Sequence, residues 1–246
     1  MIKAIKATAT TSKAKDQIAP IAPKMLAETI VDAIVEAAAR GQYLPGDRVV
    51  EADLARQLNV SRVPVREALR LLESRGVVEN MPYRGMRLME VSRDSMRSLR
   101  KVRMTLEMLA ASEVQERARH EPGLLDPIVD CVQELREVAQ AEDYYRTALF
   151  DIEFHRRMCL LTGNRALMQA WEPLALQLTI VIGLSTYLQP SLDDIVREHE
   201  ELLSILQGGT HEDLEKHMHT HILEVPDAVN YERLRDGEVR VSSEEP

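Results

Sequence analysis

The chain of 246 residues is 45% hydrophobic and 29% charged, enough apolar material to bury the core of one large domain or two ordinary ones. Its formal charge of −9 argues on average against a nucleic-acid partner, and no unbroken apolar run of spanning length is present, so no transmembrane segment is expected. The average hides an asymmetry: residues 1–91 hold 14 Lys and Arg against 11 Asp and Glu, while the remainder holds 17 against 29, the pattern of a small nucleic-acid-binding module on an acidic partner domain.

Aromatic residues are scarce at 4%, and Leu, Ala, Met, Glu and Arg dominate, which favours helices over a β-sandwich. Residues 1–22 are rich in Lys, Ala and Thr and read as a flexible tail rather than a signal peptide, since no continuous apolar stretch follows the lysines. From Lys24, Leu26, Ile30, Ile34 and Ala37 recur on one helical face, and Gly41 and Leu44-Pro45-Gly46 stop the helix. A second helix carries Leu54, Ala55 and Leu58, and Asn59 interrupts it. A third opens with Ser61 as N-cap and Pro64 in the first turn, and ends at Gly76.

On that third helix Arg62, Arg66 and Arg70 are four apart and share a face, while Val65, Leu69 and Leu72 face the other way. VVEN and MRLMEV, joined by MPYRG, read as a two-stranded hairpin tipped by Tyr83, Arg84 and Gly85. Three short helices followed by a hairpin make a winged helix-turn-helix over 23–91. Such a recognition helix enters the major groove by its N-terminal end. Arg62 and Arg66 are placed there for guanine edges, each bidentate contact worth about 1–3 kcal/mol of discrimination. Arg56, Ser61 and Arg70 suit phosphates, and Arg84 and Gly85 suit the backbone or minor groove. Arginines at this spacing are also found on merely solvated helix faces.

From Ser92 only helical periodicity follows, in pieces near 92–120, 123–141, 143–163, 165–187, 191–208 and 210–225, forming an all-helical domain over 92–232. Residues 233–246 read as an acidic tail. Cys131 and Cys159 lack any ligand-like spacing and read as small buried hydrophobes of a reducing cytosol. Asp151 and His155 lie one turn apart, so both could reach one ion, and His199 and His221 lie on separate later helices. Spacing alone leaves the choice open, because His217 and His221 are also four apart and an Asp-x-x-x-His pair is commonly a surface pair.

The stretch VEADLARQLNVSRVPVREALRLLESRGVVENMPYRGMRLMEV, and above all VSRVPVREALRLLESRGVV, resembles the DNA-binding domain of the GntR family of regulators. The resemblance implies that Arg62 and Arg66 read an operator and that Gly85 belongs to the wing; Ala52 stands where some relatives place a DNA-contacting arginine. The helical half looks like the FCD class, in its shorter VanR-like branch. That resemblance implies a divalent metal (Zn, Ni or Mn) on Asp151, His155, His199 and His221, and excludes His217 and His219. It also implies an effector-facing role for Arg103 and Asn164, against the plain alternatives of an Arg103–Glu107 salt bridge and a turn-forming Asn164.

The expectation is therefore a cytoplasmic homodimeric repressor, not an enzyme. It would read an inverted repeat of double-stranded operator DNA and respond to a small carboxylate effector. The alternatives are direct response to the metal ion and, more remotely, a metalloenzyme.

Overall fold

The computed structural model describes residues 23–224, so the expected tails lie outside the described residues. The amphipathic pattern from Lys24 becomes α1 (Pro23–Ala39), which buries Ala27, Ile30, Val31, Ile34 and Val35. α2 (Glu51–Gln57) and α3 (Arg62–Ser74) follow, separated by a turn in which Asn59 takes a positive φ of 51°. α3 buries Val65, Ala68, Leu69 and Leu72 and leaves its arginines outside. Ser61 occupies the N-cap position but its side chain makes no capping hydrogen bond, so the expected cap is geometric only. Gly76, with φ 69°, is the left-handed residue just past the helix end.

The wing is one strand richer than the sequence suggested. β2 (Val78–Met81) and β3 (Gly85–Leu88) pair antiparallel, with Val78 opposite Leu88 and Met81 opposite Gly85. β1 (Arg48–Val49) adds to the other edge of β3. A two-residue strand is too short to show alternation, which is why the sequence pattern missed it.

Among the described residues six helices follow: α4 (Arg93–Ala118), α5 (Asp126–Gln140), α6 (Tyr144–Leu161), α7 (Arg165–Thr186), α8 (Leu192–Gly208) and α9 (His211–Leu223). Each lies within a few residues of the expected segment. Local side chains start several of them. Ser92 and Ser95 form a reciprocal capping box on α4, as Thr210 and Asp213 do on α9, and Asp143 accepts from the Arg146 N–H on α6.

α7 joins the two halves. Trp171, Ala175 and Leu178 lie in the core of the helical domain, whereas Ile180, Val181 and Leu184 pack among Ile34, Val35, Leu69 and Leu72 of the winged helix. By length and apolar content α7 would pass for a membrane span, yet half of its apolar window is buried within the fold, and it packs against α1, α4 and α6. Gly183 allows the close crossing with α1: a Cβ there would lie 2.7 Å from Ala39 Cβ and 2.9 Å from the Ala39 carbonyl oxygen. Gln177 Nε2 donates to the Arg75 carbonyl at 2.8 Å, tying α7 to the end of α3 as well.

Gly183→Ala is expected to cost about 1–3 kcal/mol through overpacking, read as a fall of several degrees in melting temperature. An unchanged melting temperature would show that α1 and α7 separate at no cost.

Candidate functional site

Two surfaces carry chemistry. On the first, Ser61, Arg62, Arg66 and Arg70 are all exposed along one side of α3, Arg56 is exposed at the end of α2, and Arg84 and Gly85 are exposed at the wing. Arg66 is not a loose side chain. Its Nε and Nη2 donate to the two carboxylate oxygens of Glu51 at 3.0 and 2.9 Å, and this pairing raises the Arg66 pKa and lowers that of Glu51. The fork–fork contact fixes the guanidinium in one plane while its side chain stays 55% exposed. Arg56 pairs with Asp53 on its own helix.

Two residues here escaped the sequence reading. Glu51 lies fifteen positions from Arg66, and only the packing of α2 on α3 brings them together. Val63 is 66% exposed at the leading end of α3, where an apolar group can meet a thymine methyl. At the wing tip Tyr83 is fully exposed with φ 63°, and Gly85 takes φ 79°, a conformation that favours glycine.

The second surface lies inside the helical domain. His155 from α6, His199 from α8 and His221 from α9 bring one ligand nitrogen each to within 4.8 Å of the others. Their outer nitrogens are engaged: His199 Nδ1 lies 2.8 Å from the Ile195 carbonyl oxygen, and His221 Nδ1 lies 3.0 Å from Glu198 Oε2. His155 Nδ1 lies 2.8 Å from Glu107 Oε2, in ion-pair range though off the line of a straight hydrogen bond. Acceptors on the Nδ1 side favour protons there and leave the Nε2 lone pairs directed inward. Asp151 joins them, with Oδ1 3.9 Å from His199 Nε2.

Several features fit a cation. The Nε2 atoms of His155 and His221 are 3.0 Å apart, an unfavourable approach for two lone pairs. Two nitrogens bound at right angles to one ion at about 2.1 Å are themselves about 3.0 Å apart. Among the described residues His199 Nε2 and Asp151 Oδ1 are buried without a hydrogen-bond partner. Burial, and then the neighbouring histidines, push the His221 pKa well below its ordinary value; burial likewise lowers that of His199. Both rings are therefore neutral and able to donate lone pairs at neutral pH.

Behind the histidines is a charged network inside the apolar bundle. Glu107 is fully buried; burial alone would raise its pKa, but Arg103, His155 and the Trp171 N–H together hold it well below the usual carboxylate range. Arg103 Nε donates to Glu107 Oε1 at 2.9 Å, and Trp171 Nε1 donates to the same oxygen at 2.9 Å. The salt-bridge reading of Arg103 is thus correct, yet Arg103 Nη2 is buried with no hydrogen-bond partner among the described residues. Half of the fork is committed and half is left over. Glu107 entered the sequence reading only as a neighbour of Arg103, and Trp171 gave no signal there.

Asn164 occupies the N-cap position of α7, in keeping with its turn-forming alternative. Its side-chain oxygen accepts from the Leu167 N–H at 3.1 Å to start α7. His217 stacks on His221 but its nearest carboxylate contact is Glu201 at 3.9 Å, and His219 is exposed, so neither belongs to the converging set. Cys131 is buried, with its thiol pushed up to about 12 by that burial, and Cys159 is buried and shifted upward in the same way.

Residues 26–88 match the family of bacterial regulatory proteins described as the gntR family, and residues 98–224 match the FCD domain. The chain belongs to the GntR family of regulators and carries an FCD domain. Family members and relatives are transcription regulators rather than enzymes. It is 28% identical over 200 residues to a probable D-xylose utilization operon transcriptional repressor of Paenarthrobacter nicotinovorans, covering 80% of this chain and 84% of that one. It is 26% identical over 204 residues to the HTH-type transcriptional repressor RspR of Escherichia coli strain K12, covering 79% and 84%. Among solved structures it is similar to E. coli McbR/YncC, with a TM-score of 0.67, 21% identity, and coverage of 81% of this chain and 93% of that one. A GntR regulator from Rhodococcus sp. RHA1 superimposes with a TM-score of 0.66 at 19% identity, covering 82% and 94%.

Two outcomes test this site. The His199→Ala/His221→Ala double variant is expected to lose bound metal, measured by plasma mass spectrometry after dialysis; full stoichiometry would refute the ligand set. The two histidines have folded pKa values below 6.5, so the unfolded chain takes up protons first as pH falls. Their contribution is present above pH 6.5 and is lost below it, towards the depressed folded values. The melting temperature of chelator-treated protein should therefore decline through that window, and less so in the double variant.

Proposed function

We propose that this GntR-family regulator is a cytoplasmic homodimeric repressor that reads a short inverted repeat, one α3 per half-site. Arg62 and Arg66 read base edges, with Val63 between them. Arg56, Ser61 and Arg70 hold phosphates, and Arg84 and Gly85 bring the wing to the adjacent backbone or minor groove. Glu51 is a positioning residue that keeps the Arg66 fork planar before DNA arrives. The relatives named as repressors support the sign of regulation. The short six-helix domain supports placement in the VanR-like branch.

Asp151, His155, His199 and His221 hold a divalent ion, with zinc, nickel and manganese all suited to an Asp/His donor set. A bound ion would supply a Lewis-acidic point for an effector oxygen. The chain's own residues do the rest: Glu107, the Ile195 carbonyl and Glu198 orient the rings, and Arg103 Nη2 offers a buried donor beside them.

One observation carries the regulatory reading. A cavity of about 330 Å³ reaches Asp151 and His221, and its wall includes Ile182, Ser185 and Thr186 of α7. The same two turns of α7 pack Ile180, Val181, Gly183 and Leu184 against the winged helix. A small molecule in the cavity therefore bears on the helix that seats the DNA-binding domain. Binding that favours one seating of α7 shifts the dimer away from the spacing the operator requires. Because the cavity is acidic, a second reading is that the metal ion itself is the effector. Operator release driven by zinc or nickel alone and reversed by chelator would establish it.

Arg66→Ala is expected to weaken operator binding by about 1–3 kcal/mol, or roughly 5- to 150-fold, in fluorescence anisotropy. It should also reduce discrimination at one base position per half-site. Glu51→Gln should weaken binding less and leave the preferred sequence unchanged. An Arg66→Ala variant that binds as tightly as the parent would refute the readout.

A further inference from the structure

β1, the strand with no signal in the sequence, carries an exposed arginine, Arg48. In the antiparallel pairing of β1 with β3, Arg48 stands directly opposite Arg87, and Val49 opposite Met86. Val49 is buried in the core of the winged helix, so Arg48, one residue away, lies on the outer face of the sheet. Its side chain runs along that face towards the wing tip. Arg48 Nη2 and Nε lie 3.7 and 3.8 Å from where a Cβ on Gly85 would stand. Among the described residues the Arg48 side chain makes no hydrogen bond and no ion pair.

Two features point to what this guanidinium meets. The first is charge. Like charges in directly opposite strand positions are unfavourable, and Arg48 and Arg87 hold such positions. Arg87 is half-buried and donates through Nη1 to the Gly46 carbonyl at 3.2 Å, a neutral acceptor that cancels neither charge. Glu79, the residue opposite Arg87 on β2, forms no ion pair with either arginine among the described residues. An anion arriving at the outer face relieves this pairing. The second feature is position. Three residues after Arg48, Glu51 clamps Arg66 on α3, while the Arg48 guanidinium itself lies over Gly85, the neighbour of Arg84 at the wing. Residues 48–51 thus bridge the recognition helix and the wing, and a duplex that meets both carries its backbone past Arg48. A side chain lying along the sheet suits a phosphate at the groove edge better than a base within the groove.

We infer that Arg48 is a further DNA-contacting residue, whose guanidinium binds a backbone phosphate in the span between the α3 contacts and the wing tip. It fixes the register of the wing against the recognition helix and reads no base. The charge of Arg87 behind it keeps the guanidinium outward. The inference rests on the reading of α3 and the wing as the DNA-facing surface.

The test uses the full-length protein and two duplexes of equal length, one selected from a random library by the parent protein and one unrelated. Affinities are measured by fluorescence anisotropy across a salt series. Arg48→Ala is expected to weaken both duplexes by the same factor and to lower the slope of log affinity against log salt by about 0.9, the value of one phosphate. Its deficit against the parent should shrink about three- to fourfold between about 50 and 200 mM salt. Arg48→Lys should restore the slope, since a phosphate accepts a point charge. Lys101→Ala removes an exposed cation from α4 and should leave the slope unchanged. An Arg48→Ala variant with the parent's affinity and slope would overturn the inference. So would a loss confined to the selected duplex, which marks base reading, or an equal loss in Lys101→Ala, which marks net charge alone. Arg66→Ala is measured alongside: if it too binds the selected duplex as the parent does, the DNA-facing reading of α3 fails, whereas a silent Arg48→Ala beside a weakened Arg66→Ala removes the Arg48 contact only.

Discussion

A fully buried carboxylate organises the interior of the helical domain. Glu107 has no access to water, so its charge is sustainable only because Arg103, Trp171 and His155 converge on it from α4, α7 and α6. Removing one member of such a group costs about 3–5 kcal/mol, because the charge left behind is uncompensated. That penalty fixes the registry of three helices, and in doing so orients His155 towards His199 and His221. The convergence of the three histidines is thus a consequence of how one acid is neutralised. The half-used guanidinium of Arg103 is another consequence of the same arrangement.

The network also reaches the DNA-binding half, because Trp171 begins a helix that ends elsewhere. α7 has its first turns in the core of the helical domain and its last turns in the winged-helix core. Two domains that a sequence reading separates at residue 91 share a structural member. Gly183 against Ala39 permits an approach that any side chain at that position would block. A rigid close contact of this kind transmits displacement rather than absorbing it, since packed interiors resist compression.

The recognition surface illustrates preorganisation of another sort. An exposed arginine samples many rotamers, and ordering it on DNA has an entropic cost. Glu51 holds the Arg66 fork in one geometry while leaving it exposed. The strained wing tip does the same for the backbone, with Tyr83 and Gly85 both at positive φ, so that the hairpin turns sharply and presents Arg84.

The sequence by itself determined the elements that depend on local rules. Apolar periodicity gave α1 through α9 to within a few residues, capping residues and glycines marked their ends, and Arg62, Arg66 and Arg70 were legible as one face because helix geometry fixes side chains four apart. Resemblance to a known family then selected His155, His199 and His221 from seven histidines, which spacing could not do. What only the tertiary structure decided are the contacts between distant segments. The β1 strand, the Glu51 clamp on Arg66, the Trp171–Glu107 bond and the sharing of α7 all join positions with no common period. Asn164 shows the reverse case: whether its amide caps a helix or faces a ligand depends on where its neighbours fold. The acidity of the cavity wall was mostly hidden: Asp194 and Glu198 are one turn apart on α8, but only packing brings Asp151 of α6 and Glu224 at the end of α9 to the same surface.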